Sequence, residues 1–398
     1  MRLRDAIEDV IRSWDAHERA RGGRDVIDYD CAPTDQAVTP AASRLDVYQR
    51  LTELHDQARA EDDDNLADLI AAHRAYLSAV LGQRPPLDDY LTQTQGCPAA
   101  GWPEEHVVMV GERASNALAE VGVEWGADTD TQRRKVEQPV DAADVREQIR
   151  TVAGEFEPAV RELTGSHAPY VVSIETVEVD DYWSYWLDGA GVDARLRLNL
   201  RHATFTRTRL RSLALHEILG HAMQYASYAH ACALADVPWP RVLSVHLPYQ
   251  VLFEGLAQTL PLFVAADDPH LTAHVRVDHY TQLVRAELHR AINDGASITD
   301  CADHARARVP WWTNDTIADA LTDRGSDPLL RSYLWAYPAG IDWFVAVADT
   351  ADTDTAGRVL RAAYQRPLTP RDLADIWPAG PTVGGPGAPV RLRKPAVP

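Results

Sequence analysis

The stretch RSLALHEILGHAMQYASYAH, residues 211–230, decides how the rest of the chain is interpreted. We expect a helix over about 207–228, and within it His216, Glu217 and His221 form the pattern H-E-x-x-x-H. In a regular α-helix, residues four apart are offset by about 40° and residues five apart by about 140°. Either the two histidines do not share a ligand, or this helix is distorted.

A distorted helix would bring the two imidazoles together. One extra residue can be absorbed as a π-bulge, and such bulges concentrate at functional sites. Gly220 occupies the position where the extra residue must go, and glycine makes local unwinding less costly. The sequence therefore predicts an irregular helix near residues 218–220, with His216 and His221 converging on one metal ion. The alternative is a partly exposed helix that contains these side chains and binds no metal.

A third metal ligand is predicted in PYQVLFEGLAQTLPLF, where Glu254 is a lone acid in an apolar helix. A buried carboxylate without a partner is costly, so Glu254 needs a cation, a hydrogen bond or a proton. Catalytic zinc sites commonly take three protein ligands from His and Asp/Glu. We therefore predict one Zn²⁺ bound by His216, His221 and Glu254, although manganese, iron or cobalt would also accept these ligands.

Composition and charge narrow the class of protein. The 398 residues carry a formal net charge of −20, which argues against nucleic acid or an anionic membrane as a partner. The amino-terminal residues lack the apolar run of a secretory signal, and no run approaches 18 apolar residues. The cysteines have no C-x-x-C spacing and are expected to be free thiols, so we expect a cytoplasmic protein. They are Cys31, Cys97, Cys232 and Cys301.

The periodicity of apolar residues predicts a mainly α-helical fold. Residues 1–125 are predicted to be helical, 126–140 a surface connection, and the chain after 205 helical again. Residues 170–179 and 194–200 alternate with period two and are predicted strands of a small antiparallel sheet that precedes the metal-binding helix. We expect a single domain over 1–377, with an amino-terminal helical part (1–125) and a metal-site part (126–377). The Pro- and Gly-rich residues 378–398 are predicted to be disordered.

The motifs resemble two known families. HEILGH is similar to the H-E-L-L-G-H of dipeptidyl peptidase III, a zinc peptidase with the same additional residue. The bacterial family named domain of unknown function 885 shares more of the chain, over about residues 75–377, and the similar pieces occur in the family's order. These pieces are LDGAGVDARLRLNL (187–200), HEILGHAMQ (216–224), FEGLAQ (253–258), WAYPAG (335–340) and YQRPLTPRDLADI (364–376).

The sequence also departs from both patterns. The acids that flank the third ligand in dipeptidyl peptidase III are missing around Glu254. The domain-885 pattern has a proline before the motif glycine, one more residue between the histidines and a second adjacent histidine, where this chain has Ala222. These differences leave the predicted ligands in place, but they leave the substrate class open.

The resemblance implies a gluzincin-like helical metallopeptidase and assigns roles to further residues. Glu217 corresponds to the general base that takes a proton from water in H-E-x-x-H enzymes. Tyr337 matches a family tyrosine that would donate to an oxyanion; alternatively, it is a core tyrosine. The strand before the metal helix pairs with substrate in gluzincins, so one of its faces, Arg195, Arg197 and Asn199, is expected to bind substrate. A solvated strand face is the alternative.

The leading functional hypothesis is a zinc-dependent peptidase that hydrolyses short peptides with metal-activated water. A second hypothesis keeps the metal and assigns a hydrolase or other tailoring enzyme that acts on a small metabolite. A third is a metal-stabilised binding protein without catalysis, although the presence of Glu217 favours an enzyme. The aromatic stretch DDYWSYW (180–186) could form walls of the substrate site or part of the core.

Overall fold

Helices make up most of the protein. The computed structural model describes residues 2–180, 183–201 and 203–393. The helices, in chain order, are α1 (Leu3–Ala20), α2 (Arg44–Ala60), α3 (Asp64–Val80), α4 (Leu87–Thr94), α5 (Glu104–Glu120), α6 (Thr129–Glu137), α7 (Val145–Thr164), α8 (Arg207–Leu213), a π-helix (Ala214–Ala222), α9 (Met223–Leu234), α10 (Gln250–Thr259), α11 (Pro261–Val264), α12 (Pro269–Asn293), α13 (Ile298–Arg308), α14 (Asn314–Gly325), α15 (Pro328–Tyr333), α16 (Ala336–Thr350), α17 (Thr353–Gln365) and α18 (Pro370–Ile376).

The described residues form a five-stranded sheet, of which four strands precede the metal-motif helix (α8, the π-helix and α9) in the chain and one short strand follows it. The strands are β1 (Tyr29–Asp30), β2 (Val171–Val177), β3 (Tyr185–Ala190), β4 (Asp193–Asn199) and β5 (Val242–Leu243), in the spatial order β2-β4-β3-β1-β5. The predicted strands at 170–179 and 194–200 correspond to β2 and β4. The short β1 and β5 carry no alternating pattern, since neither is longer than two residues.

The sheet is mixed, which corrects the expectation of an antiparallel sheet. β3 and β4 form an antiparallel hairpin, whereas β2 pairs with β4 in parallel. β1 is parallel to β3 and antiparallel to β5. β2 and β3 run in opposite directions, and β4 lies between them. Because β4 is antiparallel to β3, it is parallel to β2.

One apolar core runs through both predicted parts of the chain. It includes Ile7 and Trp14 of α1 together with Phe253 of α10 and Trp343 of α16. A smaller cluster, which includes Leu288, lies between α12, α13 and α14. In the part of the chain that the structure describes, no helix has the length and apolar character needed to cross a membrane.

Two segments differ from the sequence-based expectation. The predicted surface connection at 126–140 contains α6. Residues 378–393 of the predicted disordered tail lie against the loop after α4, where Gly384 O accepts from Gly101 N at 3.0 Å and Ala388 N donates to Ala100 O at 3.1 Å. Gly384 and Gly385 have positive φ, and a Cβ at Gly385 would lie 2.2 Å from Gly101 O. The glycines are therefore needed for close packing here. Residues 394–398 lie outside the described part of the chain.

Candidate metal centre and cleft

The metal-motif helix contains the predicted distortion. Thr206 caps the start of α8, where its hydroxyl accepts from Arg209 N at 3.2 Å. The helix changes to π geometry over Ala214–Ala222 and returns to α geometry at α9. The i→i+5 hydrogen bonds of a π-helix place residues five apart above one another, as four-residue spacing does in an α-helix. His216 and His221 consequently project to the same side.

Two contacts fit the π-helix into its surroundings. Tyr364 of α17 donates its hydroxyl to Leu219 O at 2.6 Å, so it binds a backbone acceptor in the middle of the π-helix. Gly220 packs against α10, and a Cβ there would lie 2.7 Å from the Cβ of Ala257. The structure thus gives Gly220 a packing role, which is distinct from the ease of unwinding that the sequence suggested.

Three side-chain atoms of the predicted ligands converge. Nε2 of His216 lies 3.1 Å from Nε2 of His221. Oε2 of Glu254 lies 3.4 Å from the first of these nitrogens and 3.8 Å from the second. Glu254 and His221 are buried, and the His216 side chain is 13% exposed. These side chains form one of the groups in the described residues whose atoms lie close enough together to hold a metal ion.

The spacing of the three atoms fits a metal ion. Bonds from zinc to nitrogen or oxygen measure about 2.0–2.2 Å, and neighbouring ligand atoms around a tetrahedral ion lie about 3.3 Å apart. A point about 2.0 Å from all three atoms therefore exists in this triangle. Oε2 of Glu254 is buried and has no hydrogen-bond donor among the described residues, so its lone pairs are free for a cation. The residues present fit a zinc-sized cation.

Burial and neighbouring charges shift the pKa values of Glu254, His216 and Glu217. Burial would raise the pKa of Glu254, but the two imidazoles that face its carboxylate lower that pKa well below the usual range. Burial would lower the pKa of His216, whereas the carboxylates of Glu254 and Glu217 raise it. Burial raises the pKa of Glu217 itself, against the influence of both histidines.

Two tyrosines adjoin the centre, and the sequence identified one of them. Tyr333 donates its hydroxyl to Oε1 of Glu254 at 2.7 Å. Its oxygen lies 2.8 Å from that of Tyr337, the predicted oxyanion donor. Tyr333 was not predicted as a site residue, although it is four residues from Tyr337, the spacing of neighbours on a helical face.

A pair of glycines brings the tyrosine segment close to α10. A Cβ at Gly255 would lie 2.5 Å from the carbonyl carbon of Gly340, and a Cβ at Gly340 would lie 2.1 Å from Val251 O. The backbones of α10 and α16 can meet only because both positions lack a side chain. This contact explains why the FEGLAQ and WAYPAG motifs each contain a glycine: their helices must approach closely to place Tyr333 and Tyr337 beside Glu254.

The centre opens into a cleft of about 560 Å³. His216 and Glu217 line it, together with Tyr333 and Tyr337. Further lining groups are the aromatic residues Trp183, Tyr185 and Trp186, the arginines Arg133, Arg209, Arg285 and Arg324, and the acids Asp278, Asp319 and Asp323. Residues 183–186 of the aromatic stretch therefore form a wall of the cleft, whereas Asp181 and Tyr182 lie outside the described residues.

The three predicted substrate-binding residues on β4 do not line this cleft. Arg195 and Arg197 both bind Asp188, at 3.0 and 2.5 Å. Asn199 is fully buried, and its side chain donates to the backbone oxygens of residues 179 and 183.

The strand that borders the cleft is β3. β4 is paired on both edges, with β2 and β3, so it has no free edge for a substrate. Tyr185 and Trp186, at the start of β3, line the cleft together with Ser184, which precedes the strand. On the edge away from β4, β3 pairs with β1 at Gly189 and Ala190. The sequence pattern did not indicate this arrangement, because it depends on which neighbours β4 takes.

A second group, His106, His279 and Asp342, also brings potential ligand atoms together. Here the carboxylate is already used: Oδ1 of Asp342 lies 2.7 and 2.8 Å from the Nε2 atoms of His106 and His279. Its Oδ2 accepts from Trp102 Nε1 at 2.6 Å. Direct hydrogen bonds therefore account for this cluster, in contrast to the open Oε2 of Glu254.

α12 provides a polar side of the cleft that was not predicted from the sequence. His274, Asp278, Gln282 and Arg285 all line the cleft. Their spacing of four, four and three residues is that of one helical face. A polar stripe of this kind on an otherwise buried helix is a signal that could have identified them.

Comparisons with known proteins add information about the fold alone. No family model and no curated protein matches the chain. The crystal structure of the "putative lipoprotein" from Colwellia psychrerythraea is similar, with a TM-score of 0.51 at 13% sequence identity. The similarity covers 83% of this chain and 58% of that chain, so this chain spans less than two thirds of its structural neighbour.

Proposed function

We propose that the protein is a metal-dependent hydrolase, and that zinc-dependent hydrolysis of short peptides is the activity its site fits best. The observation that carries the proposal is the convergence of His216 Nε2, His221 Nε2 and Glu254 Oε2 on one point at the wall of a cleft. The π-helix has a clear role under this proposal, because it corrects a five-residue spacing that a regular helix could not use.

A bound zinc ion would lower the pKa of a water molecule and polarise the carbonyl oxygen of a substrate. Glu217 follows the ligand His216 and lines the same cleft. A carboxylate in this place accepts a proton from water and returns it to the leaving amine. Burial raises the pKa of Glu217, against the influence of the two histidines, and a carboxyl with a raised pKa is better able to return the proton as a general acid.

Tyr337 is proposed to donate its hydroxyl to the oxyanion that develops on the substrate carbonyl. Its oxygen lies 2.8 Å from that of Tyr333, which in turn donates to Glu254. Tyr333 uses its own hydroxyl proton on the Glu254 carboxylate, so Tyr337 is the donor in the hydrogen bond between the two tyrosines. When a substrate oxygen offers a better acceptor, Tyr337 can donate to that oxygen instead. Tyr333 therefore positions Glu254 and Tyr337, whereas Tyr337 contacts the substrate.

The cleft favours a small substrate. Its volume of about 560 Å³ falls within the range typical of small-molecule sites, about 300–1,000 Å³. Aromatic side chains on one wall and charged side chains on the other suit a short peptide with apolar side chains and charged ends. The metal motif and the FEGLAQ and WAYPAG pieces agree with the proposed relation to gluzincins and to the domain-885 family.

Metal analysis and a peptide library test the proposal. We expect the purified protein to contain about one zinc ion per chain and to cleave members of a library of short peptides, detected by mass spectrometry. Glu217→Gln should retain the metal and lose at least 100-fold in kcat. Glu155→Gln, an exposed position on α7, is the matched control and should behave as wild type.

The outcomes separate the competing functions. Protein without metal, or equal activity of wild type and Glu217→Gln, would refute the hydrolase. Metal without activity on any peptide, together with hydrolysis of amides or esters in a metabolite library, would support the tailoring hydrolase. Metal without any Glu217-dependent turnover would leave a metal-stabilised binding protein.

A further inference from the structure

Two arginines in the cleft, Arg285 of α12 and Arg324 of α14, lack the partners that the other cleft arginines have. Arg133 pairs with Glu137 at 3.3 Å, and Arg209 binds the Thr204 hydroxyl. Neither Arg285 nor Arg324 has a carboxylate within 4.0 Å among the described residues.

The contacts of Arg324 do not satisfy its charge. The residue is 4% exposed, and its Nε atom is buried without a hydrogen-bond partner. Its Nη1 atom reaches Ala320 O in its own helix at 3.3 Å. Burial and the neighbouring charge of Arg285 lower the pKa of Arg324 to about 9. A buried cation that is left unpaired is costly, so this position is built for an anion that arrives from outside the chain.

Arg285 has a similar environment. Its guanidinium carbon lies 5.2 Å from the ring centre of Trp312, a contact that fixes the group without neutralising it. Burial lowers its pKa, against the influence of Asp278 and Asp323. Guanidinium groups held by an aromatic ring are well suited to bind a carboxylate through two parallel hydrogen bonds.

The two arginines share one cleft with the metal centre. Both line it together with Tyr333 and Tyr337. The Tyr337 hydroxyl lies 2.8 Å from the Tyr333 hydroxyl, which binds Glu254 at 2.7 Å. An anion bound at the arginines would therefore lie in the same cleft of about 560 Å³ as His216 and Glu217.

The acids of the cleft do not neutralise this pair, but they do limit what it can bind. Asp278 accepts from Gln258 Nε2 at 2.6 Å and faces His274 at 3.4 Å. With Glu217, Asp319 and Asp323, it gives the cleft as many lining carboxylates as arginines. A singly charged carboxylate meets less repulsion from these acids than a doubly charged phosphate.

The geometry points to a substrate-carboxylate subsite formed by Arg285 and Arg324. The substrate class that follows is a short peptide, or peptide-like acid, with a free carboxylate held at the arginines and its amide bond directed toward the metal centre. The reaction that this implies rests on the proposed hydrolase function, whereas the anion-binding role of the arginines does not. Arg195 and Arg197, which the sequence suggested for this task, are committed to Asp188.

Binding measurements on the full chain test the subsite without relying on turnover. The probes are N-benzoylglycine, which has a free carboxylate, and N-benzoylglycinamide, its neutral counterpart, compared by calorimetry. We expect wild type to bind the acid at least tenfold more tightly than the amide, since a hydrogen bond between charged groups contributes more than a neutral one. Repeating the titration after chelator treatment separates binding at the arginines from binding at a metal.

Three variants identify the residues responsible. Arg285→Gln and Arg324→Gln should each reduce the preference for the acid about tenfold or more, and Arg324→Lys should restore part of it by retaining the charge. Arg276→Gln is the matched control, because Arg276 is also on α12 but pairs with Asp349. Circular dichroism should show that each variant is folded; if Arg324→Gln is not, Arg285→Gln and Arg324→Lys decide the question.

The results that would overturn the subsite are specific. Equal affinity for the acid and the amide in wild type would refute it, as would a preference that persists in the arginine variants or disappears on chelation. Inorganic phosphate binding more tightly than N-benzoylglycine, with the same dependence on the arginines, would assign the pair to a phosphorylated ligand instead. An intact preference in a protein that hydrolyses no peptide would refute the proposed peptidase activity while retaining the subsite.

Discussion

Tyr333 donates its hydroxyl to Oε1 of Glu254 at 2.7 Å, while Oε2 of the same carboxylate faces the two histidines. The two oxygens of Glu254 thus have separate tasks. One fixes the orientation of the carboxylate, and the other is left open for a cation. Side chains that orient a ligand in this way commonly change metal affinity by 10- to 100-fold when they are replaced.

Tyr333→Phe should therefore weaken zinc binding by about tenfold. Without the Tyr333 hydroxyl, the Glu254 carboxylate can rotate, and its Oε1 atom is left buried without a hydrogen-bond donor. Zinc affinity is measured by competition with a fluorescent chelator. Tyr337→Phe is the comparison: it keeps the Tyr333–Glu254 bond and should lower kcat while reducing metal affinity less. Unchanged affinity in Tyr333→Phe would show that the hydrogen bond does not position the ligand.

Gly220→Ala should destabilise the protein and weaken the metal centre. The added methyl group would lie 2.7 Å from the Ala257 Cβ, three residues from Glu254 on α10. Overpacking of this kind costs about 1–3 kcal/mol. Urea denaturation measures the free energy of unfolding. Chelator competition measures the metal affinity, which should fall if Glu254 is displaced. A wild-type result in both would mean that α10 can move aside at no cost.

Gly154→Ala is the matched control for that substitution. Gly154 lies inside α7, and a Cβ there would meet nothing within 4 Å. Alanine should raise the free energy of unfolding by about 0.5–1 kcal/mol, because glycine in a helix interior loses more backbone entropy on folding. Opposite signs for the two substitutions would separate the packing role of Gly220 from the general effect of glycine in helices.

Deleting residues 382–398 should lower the stability of the protein. Val383 is buried in the main core, while Val390 and Leu392 pack on the smaller cluster. Removing one buried apolar side chain already costs about 2 kcal/mol. Thermal unfolding of the truncated chain is compared with that of a chain lacking only residues 394–398, which keeps these contacts. Equal midpoints would show that the segment contributes nothing to folding.

The cluster of His216, His221 and Glu254 was predictable from sequence because its signal is local. The spacing of His216 and His221 forces a geometric choice, and a lone acid in an apolar helix needs a cation or another partner. Both arguments depend on a few residues and on helical geometry. The structure contains the π-helix and the convergence that follow from them.

The substrate side was less predictable because it depends on how distant elements pair. The choice of β4 as the cleft strand was reasonable for a strand next to the metal helix in the chain. In the structure β4 inserts between β2 and β3, so Arg195 and Arg197 meet Asp188 across the hairpin and do not line the cleft. In the same way, Arg285 and Arg324 are brought to one cleft by the packing of α12 and α14, which no local pattern specifies.

A buried histidine makes the stability of the protein sensitive to acid. His289 is fully buried, and neither ring nitrogen has a hydrogen-bond partner among the described residues. Burial, with the charges of Arg324 and Arg331, lowers the pKa of His289 well below its usual range. The unfolded chain takes up a proton below pH about 6.5, but the folded chain does not, so stability falls as the pH decreases from there. At pH 5 this one group lowers the free energy of unfolding by about 2 kcal/mol relative to pH 8.

The His289→Leu variant lacks this group. Its free energy of unfolding should therefore fall by about 2 kcal/mol less than that of wild type between pH 8 and pH 5, as measured by urea titration at both values. An identical loss in both proteins would mean that His289 becomes protonated in the folded state.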